Sequence, residues 1–166
     1  MTASELFLAM SPKLANQIVE DLHASDRDLY RVALQATAQA RKLRPVFLER
    51  QPRAERHRTM IGALCRSDMT VVAGNVLSGW LVKTQPALLA DFLDALKIKH
   101  DKGVVEDLPP QVDDAELGRA VDLLLGKYPR EIVALYLHAF YGMNEARWPK
   151  LDTMLHEDDR LVLGHD

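Results

Sequence analysis

Apolar positions recur at spacings of three and four along most of this chain, and four prolines cut the pattern into similar lengths. Leu14, Ile18 and Leu22 follow Ser11-Pro12; Leu89, Phe92, Leu93 and Leu96 follow Pro86; Ile132, Leu135, Tyr136 and Phe140 follow Pro129. Three of the prolines stand just after a lysine that closes an apolar stretch, in Lys42-Leu-Arg-Pro45, Lys83-Thr-Gln-Pro86 and Lys127-Tyr-Pro129. A period of three to four residues is that of an amphipathic helix. Proline suits the first helical position, where its missing N–H costs nothing, and a cation suits the last turn, where it meets the negative end of the helix dipole. The pattern therefore predicts helices over 12–23, 28–42, 53–66, 67–83, 86–98, 114–127, 131–141 and 149–155, with a short turn after Pro45. Ser11 and Asp26 or Ser25 serve as N-caps, Arg41 and Lys42 lie in a last turn, and Gly142 closes the most apolar helix. No alternating run or hairpin dipeptide stands between apolar stretches, so strand content should be near zero.

The expected fold is all-α: antiparallel helical hairpins forming one domain over 1–166, either a short HEAT-like α-solenoid or an irregular multi-helix bundle of seven or eight helices. The intervals between successive prolines, 33, 41 and 43 residues, resemble the length of HEAT-type helical repeats, although no diagnostic motif accompanies them. Shifted by 44 residues, 74–96 can be laid on 118–140, pairing Leu81 with Leu125, Lys83 with Lys127, Phe92 with Tyr136, Leu93 with Leu137 and Ala95 with Ala139, with the prolines Pro86 and Pro129 one residue out of register. Duplication and ordinary end-capping physics both account for this. Gly74, Ser78 and Gly79 leave a groove on the 67–83 helix where another helix can approach closely. Residues 99–114 break the pattern with Asp101-Lys-Gly103 and Pro109-Pro110, an acidic loop 101–114 that is long for a compact domain and a candidate for flexibility.

Composition narrows the function classes. With 166 residues, 48% hydrophobic content and a formal net charge of −3, the chain can bury a core and is not a general seeker of polyanions, so any phosphate or nucleic-acid site must be local. The single Cys65 excludes an intrachain disulfide, and its neighbours Ile61, Ala63 and Leu64 suggest a buried thiol in a reducing interior. Residues 1–10 lack a basic leader, and no apolar window is long enough to cross a bilayer. A cytoplasmic protein with no membrane partner is the expectation.

The clearest surface feature is basic. Residues 41–58 hold seven of the chain's 21 lysines and arginines, Arg41, Lys42, Arg44, Arg50, Arg53, Arg56 and Arg58, against Glu49 and Glu55. Arg50, Arg53 and His57 share a face if one helix carries them, in a geometry suited to carboxylate or phosphate. Residues 101–117 carry six acids and one lysine, and 152–166 five acids and one arginine, so these segments are candidate neutralisers within the fold or across a dimer.

Chemistry-bearing motifs are sparse. His156, Asp159, His165 and Asp166 offer nitrogen and oxygen ligands, yet an acidic tail is ordinarily just solvated, and no metal or other cofactor is assigned. Gly74 to Gly79 imitates a phosphate loop but is followed by Trp80 where lysine is needed. His57, His138 and Cys65 lack an obvious catalytic partner in sequence, and no catalytic residue is assigned. The leading expectation is a non-enzymatic interaction or scaffold module whose basic patch (Arg41, Lys42, Arg44, Arg50, Arg53, Arg56, His57, Arg58) docks an acidic protein surface or another copy of the chain. The alternative is a helical-repeat protein that binds a nucleic-acid phosphate backbone, for which the basic run offers only Phe47 for stacking. An enzyme using a pocket near His57, His138 or Cys65 is a third reading.

Overall fold

The computed structural model describes residues 1–164, most of them in helices, with one long non-helical stretch over 96–113. Ten α-helices and two 3-10 turns follow one another: α1 Ala3–Ala9, α2 Pro12–Ser25, α3 Arg27–Ala40, α4 Pro45–Arg50, α5 Arg53–Leu64, a 3-10 turn Ser67–Met69, α6 Thr70–Thr84, α7 Pro86–Ala95, α8 Asp114–Lys127, α9 Arg130–Met143, α10 Pro149–Glu157, and a 3-10 turn Asp159–Leu161. Among the described residues there is no strand, only an isolated bridge between Asp101 and Val104. The expected all-α fold is the fold observed.

Two more helices form than the periodicity predicts. The first is α1, built by a capping box: Thr2 Oγ1 accepts from the Glu5 amide (3.3 Å) while Glu5 Oε2 accepts from the Thr2 amide (2.6 Å). The signature Thr-x-x-Glu is in the sequence, but the run after it is too short to show a period. The second is α4, where Pro45 initiates one full turn and more. Elsewhere Ser11 Oγ accepts from the Leu14 amide and Asp26 from that of Leu29, the caps expected, and Asp113 accepts from the Glu116 amide at the start of α8.

The C-terminal ends differ from expectation, for one recurring reason. Helix α3 stops at Ala40, so Arg41 is its C-cap and Lys42, at φ 55°, lies outside it. Lys42 donates to the Gln39 carbonyl and Leu43 to that of Ala38. This paired closure requires one left-handed residue just past the helix. Helix α7 ends identically, with Lys97 at φ 56° and Ile98 bonded back to Leu93, three residues before the expected end. In α9 the left-handed residue is Glu145 (φ 51°), with Ala146 bonded to Tyr141; Gly142 is an interior residue and not the cap. Without glycine at these positions, the sequence carries no visible stop.

The chain divides into two compact units, Met1–Trp80 and a second beginning at Leu81. In the first, α2, α3 and α5 pack against one another around Ile18, Val19, Leu22, Ala33, Leu34, Met60 and Leu64, with α4 laid on α3 and α1 on α5. Leu29 of α3 sits over Gly79 of α6, its Cδ2 2.5 Å from where a Cβ would stand. The close approach expected at the small residues of α6 is therefore present. Trp80, fully buried, donates from Nε1 to Asp21 Oδ2 at 2.9 Å.

In the second unit α7 packs on α8, and α9 on α10 and the final 3-10 turn. Phe92, Tyr136, Phe140 and Trp148 form a ring cluster with centroids 5.2 to 5.9 Å apart. Leu161 and Leu163, near the end of the described chain, are buried. Segment 99–113 is anchored by Trp148 Nε1 donating to the Pro109 carbonyl (3.0 Å) and by His100, whose Nε2 donates to Asp94 Oδ1 of α7 (2.8 Å) while its Nδ1 accepts from the Gly103 amide (3.0 Å).

Tyr136 is only 4% exposed and its hydroxyl has no hydrogen-bond partner; burial pushes the phenol pKa far up. An unpaired buried hydroxyl costs about 1–3 kcal/mol. Replacing Tyr136 by Phe is expected to stabilise the protein by about 1 kcal/mol, read as a higher urea midpoint at unchanged m-value.

Candidate functional site

The basic residues follow one another in the first unit from the end of α3 to α5. Arg41 caps α3, Lys42 turns the chain, Arg44 precedes α4, Arg50 ends it, and Arg53, Arg56 and Arg58 lie on α5. Pro52 interrupts the helix between Arg50 and Arg53 because its ring cannot continue the hydrogen-bond ladder. Arg50 and His57 therefore belong to different helices, and the face expected for a single basic helix is divided.

On α5 the cations point to different neighbours. Arg53 Nε lies 3.6 Å from Glu20 Oε1. Arg56 is half-buried, with its guanidinium 5.9 Å from the centre of the Tyr30 ring and Nη1 donating to the Glu49 carbonyl at 3.2 Å. Arg58 is exposed, and Arg41 Nη2 reaches over Gly62, 3.3 Å from the position of a Cβ there. Gly62 lies one helical turn beyond Arg58, so Arg41 and Arg58 flank the same side of α5.

His57 is not on the surface. It is 1% exposed and held at both nitrogens, Nδ1 3.0 Å from Glu20 Oε1 and Nε2 2.9 Å from the Tyr30 hydroxyl. A carboxylate accepts and cannot donate, so Nδ1 carries the proton; Nε2 of the neutral ring then accepts from the Tyr30 hydroxyl. Burial lowers the His57 pKa, opposed by attraction and hydrogen bonding to Glu20 and reinforced by Arg56 and His23. The His23 ring stands 5.0 Å from that of Tyr30 and 5.7 Å from that of His57, and its pKa too is lowered, first by burial and then by Arg27, Arg53 and Arg56.

Glu20 comes from α2, Tyr30 from α3 and His57 from α5, so this chain of bonds joins three helices. Its order resembles a nucleophile, base and orienting carboxylate, but Tyr30 is buried and burial raises its pKa ahead of the opposing pull of Arg56. The network acts as a clamp. Sequence reasoning placed His57 in the binding patch and missed Glu20 and Tyr30, since neither lies within ordinary helical spacing of it.

Beside the clamp, a groove of about 480 Å³ runs between α2 and α5, with Pro12, Asn16 and Glu20 on one wall and Ala54, Arg58 and Ile61 on the other. Leu43, Val46 and Phe47 are exposed, Phe47 at 61%. In the chain Leu43 lies between Lys42 and Arg44, and Val46 and Phe47 lie between Arg44 and Arg50. Two buried polar atoms here, Gln51 Oε1 and Arg56 Nε, have no hydrogen-bond partner.

The remaining candidates lie elsewhere. Cys65 is half-buried and its thiol pKa is raised by burial, which holds it protonated. His138 Nε2 donates to the Leu161 carbonyl at 3.1 Å, and burial outweighs that bond to lower its pKa. Gly74 to Gly79 is interior to α6, where no loop can cradle a phosphate. His156 is exposed and bonds back to the Asp152 carbonyl; His165 and Asp166, grouped with it in sequence, lie outside the described residues. Among the described residues no group of three or more metal-ligating side chains converges. Of the acidic segments, Glu116 pairs with Lys97 at 3.4 Å and Asp158 with Arg160, which Asp122 of α8 engages as well. Compared with protein families, with characterised proteins and with solved structures, the chain finds no match.

Proposed function

We propose that this chain is a non-enzymatic interaction module whose 41–58 segment docks an acidic protein surface. The observation that carries the reading is the set of exposed apolar side chains, Leu43, Val46 and Phe47, standing among cations. An apolar side chain in water gains by being covered, and an aromatic anchor is the kind of residue that dominates binding energy. Surrounding arginines would attract carboxylates, steer the encounter and fix orientation. An enzymatic role draws less support, because both His57 nitrogens are engaged and the Cys65 thiol is held protonated.

The test uses a synthetic amphipathic peptide of alternating glutamate- and leucine-rich turns as probe, titrated by fluorescence anisotropy. Arg44, Arg50 and Arg58 are exposed, so the triple change R44E, R50E and R58E is expected to leave the fold intact and weaken probe binding about a hundredfold. A second variant, Phe47→Ala, is expected to weaken it about tenfold. Equal binding by wild type and both variants would remove the proposal. If single-stranded RNA binds with an affinity falling steeply in salt while the peptide does not, the phosphate-backbone reading takes its place.

A further inference from the structure

The second unit carries a feature that answers the first. Between the end of α7 and the start of α8 lies an open hollow of about 510 Å³. Leu96, Ile98, Leu108 and Val112 supply its apolar lining, and Asp107 and Asp113 stand on its rim. Lys97 and Lys99 border it as well, with Lys97 engaged by Glu116 at 3.4 Å. The adjoining stretch 101–117 carries six acids against one lysine, while 41–58 carries seven cations against two acids. The surplus is five charges of each sign, on two surfaces of one polypeptide. Glu106, Asp107, Asp113 and Asp114 are exposed, as is Val104 at 52%.

The volume lies within the range of about 300–1,000 Å³ of clefts that hold drug-sized ligands, and so has room for a phenyl ring and its neighbours. Phe47, exposed on a helix of six residues and flanked by Arg44 and Arg50, has the complementary form: a ring to fill the hollow and guanidinium groups to meet its rim.

We infer that the occupant of this hollow is Phe47 of a second copy of the chain, so that the protein associates head to tail. The inference rests on the docking role of the 41–58 segment and names its partner. The two contact surfaces differ, so the interface is heterologous: each copy offers one ring and one hollow, and association continues until a closed circle forms or the copies run out. Charge attraction between the surfaces makes it sensitive to ionic strength.

Sedimentation velocity on the full chain tests this. At low salt the weight-average mass of wild type is expected to rise about twofold or more from low to high micromolar concentration, and to fall back as salt is added. Phe47→Asp removes the ring, and the pair E106K and D107K reverses the rim; all three positions are exposed, and each variant alone is expected to remain a monomer. Mixed in equal amounts they should recover a dimer, because the first keeps its hollow and the second keeps its ring. A monomeric wild type at every concentration, variants that assemble like wild type, or a mixture that stays monomeric would each overturn the inference. Titrating the glutamate–leucine peptide into the same proteins separates the two ideas. A monomeric wild type that still binds the peptide through Arg44, Arg50 and Arg58 removes only self-association, whereas indifference of the peptide to those arginines removes the docking role beneath it.

Discussion

Replacing Phe92 by Ala is expected to cost about 4 kcal/mol, enough to unfold much of the population of a domain whose total stability is typically about 5–15 kcal/mol. Phe92 is completely buried on α7 and meets Tyr136 and Phe140 of α9 edge-on, at 5.5 and 5.2 Å between centroids. Truncation would leave a cavity the size of a ring between helices held in place by their other contacts, and the edge-to-face attraction would go with it. Leucine at the same position keeps most of the volume and should lose only about 1–2 kcal/mol. Urea denaturation followed by the near-ultraviolet signal of the aromatic cluster measures both. A loss below about 1 kcal/mol for the alanine variant would mean that the second unit is not organised around these rings.

A smaller residue carries the next largest effect. Gly103→Ala is expected to destabilise the 101–104 turn by about 3 kcal/mol, from about 1–2 for a left-handed backbone and a similar amount for overpacking. Asp101 and Val104 exchange two backbone hydrogen bonds of 2.9 Å across Lys102 and Gly103, whose φ values of 51° and 86° are both positive, the pattern of a tight type I′ reversal. A methyl group on Gly103 would come within 2.5 Å of the Leu89 Cβ. That atom is next to the backbone of α7 and cannot swing aside. Gly126 is the control: nothing lies within 4 Å of its missing Cβ, so alanine there should stabilise α8 by about 0.5–1 kcal/mol. Hydrogen exchange of the amides around residues 100–104, together with thermal midpoints of both variants, reads the contrast. Equal responses to the two substitutions would show that the turn does not press on α7.

The helices were legible where physics writes a signal in adjacent residues. Ser11-Pro12, Asp26 and Asp113 mark starts through the hydrogen bonds they make within three residues, and Leu89, Phe92, Leu93 and Leu96 mark a buried face through spacing alone. The ends were harder to read. Lys42, Lys97 and Glu145 take a conformation that the sequence ordinarily advertises with glycine, so α3 and α7 finish sooner and α9 later than periodicity suggested. Gly79 could be read as a place of close approach, but Leu29 as the residue that approaches could not, because the two are far apart in the chain. The same holds at the candidate site. The local count of lysines and arginines disclosed the cluster 41–58. The inward turn of His57 depends on Glu20 and Tyr30 meeting it from two other helices, 37 and 27 residues away. Exposure of Phe47 is also a property of packing, since alone it reads as one more core aromatic.

The make-up of the cationic segment decides what can switch it. Six of its seven positive residues are arginines, whose guanidinium groups never release their proton in water. The one imidazole among them is neutral, sealed, and shifted toward still more acid titration. A fall from neutral to mildly acid surroundings thus leaves the local field nearly as it was, and acetylation, in which an amine is the nucleophile, can erase the charge of Lys42 alone. Dissolved electrolyte is left as the natural dial for such a surface, together with competition from whatever other carboxylate-rich molecules share its solution.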